Sequence, residues 1–165
     1  ARHLHEAGAK LIITDIDMER AQTLARRFDA EVVEPDAIYG VQADVFAPCA
    51  LGAVVNDDTI PQFHFSVIAG ASNNQLKTAA HGNVLAEKGI LYAPDYVVNA
   101  GGLINVYYEG PQYDEKLVTR HVEGIHDTLL EVFKKAEDLG IPTSDAADQL
   151  AQERLNAPQS TRATA

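Results

Sequence analysis

The sequence has little cysteine and few basic residues. Cys49 is the only cysteine in 165 residues, so no disulfide can form within the chain. Its scarcity fits a reducing compartment. Lys and Arg total 13 against 24 Asp and Glu, a formal net charge of −11. That balance argues against binding to nucleic acid or to an anionic membrane surface, because both attract clustered cations.

Long apolar runs are also missing. No stretch approaches the roughly 20 apolar residues that a membrane helix needs. Residues 1–6, ARHLHE, have no apolar stretch behind their charges and do not resemble a signal peptide. Together with the single cysteine, these absences predict a cytoplasmic protein with no membrane partner.

Several motifs that carry chemistry are absent as well. The sequence contains no G-x-G-x-x-G loop, no serine nucleophile elbow and no Cys or His cluster with zinc-ligand spacing. His121 and His126 are five residues apart and do not share one helix face. Cys49 has no base beside it in the sequence, which favours a buried structural thiol over a nucleophile. No metal site is therefore predicted.

What is present is an alternation of short apolar runs and amphipathic segments. Apolar runs typical of buried strands lie at residues 10–15, 31–33, 41–47, 66–70 and 90–92. Helical patterns lie at residues 1–8, 18–28, 78–88, 114–139 and 145–155. The alternation predicts an α/β fold: a doubly wound, mostly parallel Rossmann-type sheet with helices on both faces and a helical C-terminus.

Local signals predict where several helices begin and end. Gly8 is expected to cap the first helix, and Gly89 and Gly140 to end two later ones. Ser144 is expected to cap the last helix. Residues 56–58, Asn-Asp-Asp, predict another helix start, because carboxylates are favoured at the positive end of the helix dipole.

Small and polar residues follow the predicted strands, and ligands of doubly wound sheets bind beyond the carboxyl ends of the strands. Such residues occur at 47–50, 70–74 and 99–102. Asp15 ends the first predicted strand. An acid at the end of the second strand of a complete dinucleotide fold accepts hydrogen bonds from the adenosine ribose hydroxyls and repels a 2′-phosphate, which favours NAD over NADP. The alternative is a solvated Asp at the end of the strand, which could also cap the helix beginning near Met18.

The glycine fingerprint of a dinucleotide fold begins about 20 residues before such an acid. Only 14 residues precede Asp15, so the first strand and the glycine loop are expected to be missing. Asp95 also follows a predicted strand. A general acid–base role is conceivable for it, but a structural role in a turn is favoured.

Three segments resemble the Glu/Leu/Phe/Val dehydrogenases, the leucine-specific members above all. They are residues 47–56, APCALGAVVN, residues 68–76, IAGASNNQL, and residues 92–102, YAPDYVVNAGG. The similarity runs in order from about residue 1 to residue 155. It implies NAD-dependent oxidative deamination of an L-amino acid, leucine, to its 2-oxo acid with release of ammonia.

The resemblance also implies residue roles. Asp15 matches the ribose-binding acid, Asn73 the amide that holds the nicotinamide end near the substrate, and Asn99 a second amide on the cofactor side. The implied cofactor-binding residues are Asp15, Ile16, Ala47, Pro48, Cys49, Ala50, Asn73 and Asn99. The implied substrate pocket comprises Asn73, Leu103 and Val106. From the spacing alone, plain helix packing is the favoured explanation of the last two, and only the resemblance assigns them to a pocket.

The resemblance also implies that cofactor binding and catalysis are divided between two domains. The family's catalytic lysines and catalytic aspartate belong to an N-terminal domain that this sequence lacks, so no catalytic residue is assigned here. Residues 1–140 would form an incomplete dinucleotide-binding domain. Residues 141–155 would form a helix packing back toward the substrate domain, and residues 156–165 a disordered tail.

Alone, such a chain is expected to be inactive and marginally stable, or to pair with another chain. The implied assembly is a homo-oligomer, an octamer by resemblance. Two alternatives stay open: a phenylalanine or valine dehydrogenase of the same family, or a non-catalytic Rossmann-like module for nucleotide binding or assembly.

Overall fold

The computed structural model describes residues 1–157 and divides the chain into two compact units. The first unit comprises Ala1–Gln42 and Gln62–His64. The second unit comprises Ala43–Pro61 and the chain from Phe65 onward.

The first unit is a βαβ arrangement preceded by a short helix. Helix α1 spans Arg2–Glu6, strand β1 Ile12–Ile13, helix α2 Met18–Phe28, strand β2 Glu31–Val32, and a 3-10 helix Pro35–Gly40. Strands β1 and β2 are parallel, with Ile12 opposite Glu31 and Ile13 opposite Val32. Because parallel neighbours need a crossover connection, α2 joins the two strands.

Helix α2 has the bounds that the sequence predicts. The carboxylate of Asp17 accepts a hydrogen bond from the N–H of Arg20 at 3.1 Å and caps the first turn. Asp29 ends the helix in the left-handed region, with φ of 49°. Ala21 and Phe28 are the buried residues of α2, so its apolar face packs inward as the helical spacing requires.

The second unit holds a three-stranded parallel sheet. Strands β3, Val45–Phe46, β4, Val67–Ile68, and β5, Leu91–Tyr92, pair in the order β3-β4-β5. Helix α3, Ala80–Glu87, joins β4 to β5, and Gly89 follows it with φ of +71°. Each predicted strand is found, although its paired part is only two residues long. The predicted parallel α/β class is confirmed.

The rest of the second unit is helical. Helix α4 spans Asp95–Val98, α5 Gly101–Tyr107, α6 Glu115–Leu139 and α7 Thr143–Asn156. Val132 and Ala136 of α6 pack with Ala146 and Ala147 of α7 in a buried cluster. Two ion pairs, Lys135–Glu153 and Arg154–Glu131, each at 2.7 Å, also join α6 to α7. None of the helices in residues 1–157 combines the length and apolarity needed to cross a bilayer.

Two predicted helix starts are wrong. The side chain of Asn56 accepts hydrogen bonds from the N–H groups of Asp58 and Thr59, as a cap would, but only a 3-10 turn, Ile60–Gln62, follows. Pro61 has no N–H to donate in the second turn, so an α-helix cannot continue. Ser144 lies inside α7 rather than at its cap, because the extended Pro142 holds that position. Of the predicted tail, Asn156 ends α7, and residues 158–165 lie outside the described part of the chain.

Candidate functional site

The loops that follow β3 and β4 meet at the carboxyl edge of the three-stranded sheet. The carbonyl oxygen of Pro48 accepts a hydrogen bond from the N–H of Ser72 at 3.0 Å. A methyl group at Gly70 would overlap the backbone oxygen of Pro48 and lie 2.6 Å from its Cδ. Residue 70 must therefore be glycine for the two loops to approach this closely.

A buried glutamine closes the turn after β4. Gln75 has no exposed surface. Its side-chain amide donates to the carbonyl oxygens of Gly70 at 2.7 Å and Ser72 at 3.0 Å. Because buried carbonyl groups need donors, this one side chain satisfies these two carbonyl groups from within, while Asn73 is exposed.

Two amide side chains meet above this edge. Nδ2 of Asn99 donates to Oδ1 of Asn73 at 2.6 Å and to the carbonyl oxygen of Ala71 at 3.4 Å. Since Asn73 uses its oxygen and Asn99 its nitrogen in this contact, the pair still offers the Nδ2 hydrogens of Asn73 and the Oδ1 lone pairs of Asn99. This remaining donor and this remaining acceptor are of the kinds that the two polar groups of a carboxamide ligand need.

A buried acid lies below the pair. Asp95 is 9% exposed. One of its oxygens accepts from the N–H of Asn74 and the other from the hydroxyl of Tyr92, both at 2.7 Å. Burial and the hydrogen bond to Asp95 raise the pKa of Tyr92 above its ordinary value, so this phenol stays a donor. Internal contacts use both carboxylate oxygens, which agrees with the structural role favoured for Asp95.

The segment after β3 differs from its prediction at one residue. Ala47 and Ala50 are exposed and Pro48 is buried. Cys49 is exposed, so the predicted burial of its thiol is wrong. The physical reason is that Pro48 takes the inward position against Gly70, which directs the next side chain outward.

The two residues implied for the substrate pocket lie on α5. Leu103 is 75% exposed and Val106 is 59% exposed. They are three residues apart on one helix and therefore share a face. Helix packing does not account for them within the described residues, since neither is buried.

Asp15 and Ile16 belong to the first unit. The carboxylate of Asp15 accepts from the N–H of Asp17 at 3.0 Å, and Ile16 is 90% exposed. Asp17, rather than Asp15, caps α2. The alternative interpretation of Asp15 as the helix cap is therefore wrong.

The sequence does not reveal the supporting roles of Gln75 and Tyr92. Gln75 continues a polar run that also contains Ser72, Asn73 and Asn74, and nothing local distinguishes the buried member. From the sequence alone, Tyr92 is interpreted as the last residue of an apolar strand. Its hydroxyl contact with an acid three residues later is visible only in the structure.

The model of the Glutamate/Leucine/Phenylalanine/Valine dehydrogenase family matches residues 4–162 of the sequence. The chain belongs to this family. Its parallel sheets and connecting helices have the Rossmann-type fold of these dehydrogenases. The predicted family and fold class are both confirmed.

Relatives within this dehydrogenase family differ in substrate. The chain is 53% identical to a leucine dehydrogenase of Thermoactinomyces intermedius, over 99% of this chain and 44% of the relative. It is 44% identical to a phenylalanine dehydrogenase of Bacillus thermotolerans, over 95% of this chain and 42% of the relative. It superposes on the crystal structure of an L-tryptophan dehydrogenase from Nostoc punctiforme with a TM-score of 0.91 and 52% identity, covering 94% of this chain and 46% of that one. The chain thus spans less than half the length of these relatives.

Replacing Gly70 by alanine tests the close approach of the two loops. The added methyl group meets the backbone of Pro48, which cannot rotate away, so Gly70→Ala should lower the free energy of unfolding by about 3 kcal/mol. Gly124→Ala is the matched control, because it lies in α6 with nothing within 4 Å of the new methyl group. It should raise the free energy of unfolding by about 1 kcal/mol. Urea unfolding measures both, and equal effects of the two substitutions would contradict the account.

Proposed function

We propose that the protein containing this chain is an NAD-dependent dehydrogenase of a branched-chain L-amino acid, leucine. It would convert the amino acid to its 2-oxo acid with release of ammonia. The observation that carries the proposal is the Asn73–Asn99 amide pair at the carboxyl edge of a parallel sheet, in a chain of this dehydrogenase family.

The amide pair suits the nicotinamide end of the cofactor. A nicotinamide carboxamide offers one carbonyl oxygen and one NH₂ group, which complement the remaining donor of Asn73 and the remaining acceptor of Asn99. Pro48 and its exposed neighbours Ala47, Cys49 and Ala50 are small enough for the backbone to approach a ligand closely. Bound NAD would supply the hydride acceptor.

Asp15 suits the adenosine ribose. One carboxylate oxygen holds the N–H of Asp17, and a carboxylate has further lone pairs for the 2′- and 3′-hydroxyls. Its negative charge would repel a 2′-phosphate, which supports NAD over NADP. Ile16, next to it and 90% exposed, offers an apolar surface to the same ligand.

The choice of leucine rests on α5. Leu103 and Val106 present two aliphatic side chains, and an apolar pocket separates apolar substrates mainly by size. An aromatic amino acid is the second candidate, because the chain superposes on a tryptophan dehydrogenase with a TM-score of 0.91. In either case Asn73 would contact the substrate beside the cofactor.

This chain would be one part of the whole protein. Residues 1–140 would be its dinucleotide-binding part, with 141–155 packing toward the substrate domain. The lysines and the aspartate that move protons would come from that other domain. The protein would work in the cytoplasm as a homo-oligomer.

Steady-state kinetics of the protein containing this chain test the substrate. With NAD as acceptor, kcat/KM for leucine should exceed that for phenylalanine and tryptophan by about tenfold or more, because bulky rings clash with walls set for an aliphatic side chain. The value of kcat/KM for valine should be the next highest after that for leucine. A higher kcat/KM for either aromatic amino acid would overturn the assignment of leucine in favour of the second candidate.

The preference for NAD over NADP tests the role proposed for Asp15. Asp15→Asn removes the negative charge and one acceptor, so KM for NAD should rise about tenfold. The ratio of kcat/KM with NADP to that with NAD should rise as well. Asp17→Asn is the matched control, since it removes the same charge two residues away and asparagine caps a helix as well as aspartate. An equal change of cofactor preference in both variants would contradict a specific ribose contact.

A further inference from the structure

The Asn73–Asn99 pair depends on Asp95, which forms no hydrogen bond with either of the two side chains. The backbone carbonyl oxygen of Asp95 accepts from the N–H of Asn99 at 2.8 Å. Its carboxylate accepts from the N–H of Asn74, 21 residues earlier, at 2.7 Å. One residue therefore fixes the backbone at Asn99 and the backbone directly after Asn73.

The turn that Asp95 holds contains a residue in an unfavourable backbone conformation. Asn74 has φ of +55°, in the left-handed region that residues other than glycine seldom adopt. On its other side, the carbonyl oxygen of Asn74 accepts from the N–H of Ala53 at 2.6 Å. A β-carbon at Gly52 would lie 2.7 Å from the carbonyl oxygen of Asn73. The turn is thus confined from one side by residues 52–53 and from the other by Asp95.

The acid itself is firmly placed. It donates its own N–H to the hydroxyl of Tyr92 at 3.2 Å, while that hydroxyl donates to its carboxylate. Tyr92 is 3% exposed and its carbonyl oxygen accepts from the hydroxyl of Thr143 at 2.5 Å. Buried, hydrogen-bonded side chains of this kind hold the groups that touch a ligand to within a fraction of an ångström.

We propose that Asp95 is a positioning residue for the nicotinamide end of the cofactor. It sets the separation of Asn73 and Asn99 so that the donor of one and the acceptor of the other meet the same carboxamide. This inference rests on the proposed function. It assigns Asp95 no part in proton transfer, because the acid is buried and both of its oxygens accept from groups of the protein, Asn74 and Tyr92.

The test compares two ligands of the protein containing this chain. NADH carries the nicotinamide, and ADP-ribose is the same molecule without it. Asp95→Leu keeps the number and branching of the side-chain heavy atoms but has no acceptors. It leaves the N–H of Asn74 without its partner, so Kd for NADH should rise about tenfold. Kd for ADP-ribose should change less than about twofold. A purely structural role would weaken both ligands together.

Two further variants sharpen the result. Asp95→Asn keeps one oxygen for Asn74 and can donate to the Tyr92 hydroxyl, so it should restore NADH affinity to within about threefold of the original. Asp148→Leu also removes an acid that accepts from a tyrosine hydroxyl, that of Tyr96 at 2.7 Å, but lies on α7 away from the turn. It should leave the affinities for both ligands unchanged.

The outcomes separate the inference from the proposed function. If the unaltered protein binds no NADH, the proposed function is wrong. If the unaltered protein binds NADH, two results would show that the positioning role is wrong while the function stands. One is that Asp95→Leu binds NADH as well as the unaltered protein does. The other is that Asp95→Leu loses as much affinity for ADP-ribose as for NADH.

Discussion

The hydrogen bond from the N–H of Asn74 to the buried carboxylate of Asp95 joins the turn that follows β4 to the start of α4, which follows the neighbouring parallel strand β5. Parallel strands bring their carboxyl ends to one edge, but the sheet alone does not fix how the loops beyond them meet. A charge-assisted bond inside a poorly solvated region is strong and directional enough to do so. The geometry of the Asn73–Asn99 pair follows from that contact.

Close packing also stabilises this carboxyl edge of the three-stranded sheet. Gly70 lets the loop after β4 lie directly on Pro48, and Gln75 satisfies the carbonyl groups that the turn would otherwise bury without partners. Asn73 and Asn99 offer polar groups at the outer side of this edge. Residue size and burial both matter at this edge. Small residues permit close contact with a ligand, and buried amide and carboxylate side chains keep the contacting groups in place.

Much of this could be predicted from the sequence, because much of it is local. Helix α2 was predicted to the residue, since its periodic apolar face and charged opposite face lie in consecutive residues. The family also follows from consecutive motifs. The exposure of Cys49 could not be predicted, because it depends on Pro48 meeting Gly70, 22 residues later in the sequence. The role of Asp95 was equally hidden, since its partner Asn74 lies on another loop.

If Asn73 and Asn99 bind the same carboxamide, they should act on it as one unit. A double-mutant cycle on the dissociation constant of NADH tests this. Asn73→Ala and Asn99→Ala should each weaken binding, and the double variant should be little worse than either single one. The predicted coupling between the two residues is about 1 kcal/mol, as expected for groups in contact that share a ligand. Strictly additive effects, or no effect of either substitution, would contradict the account.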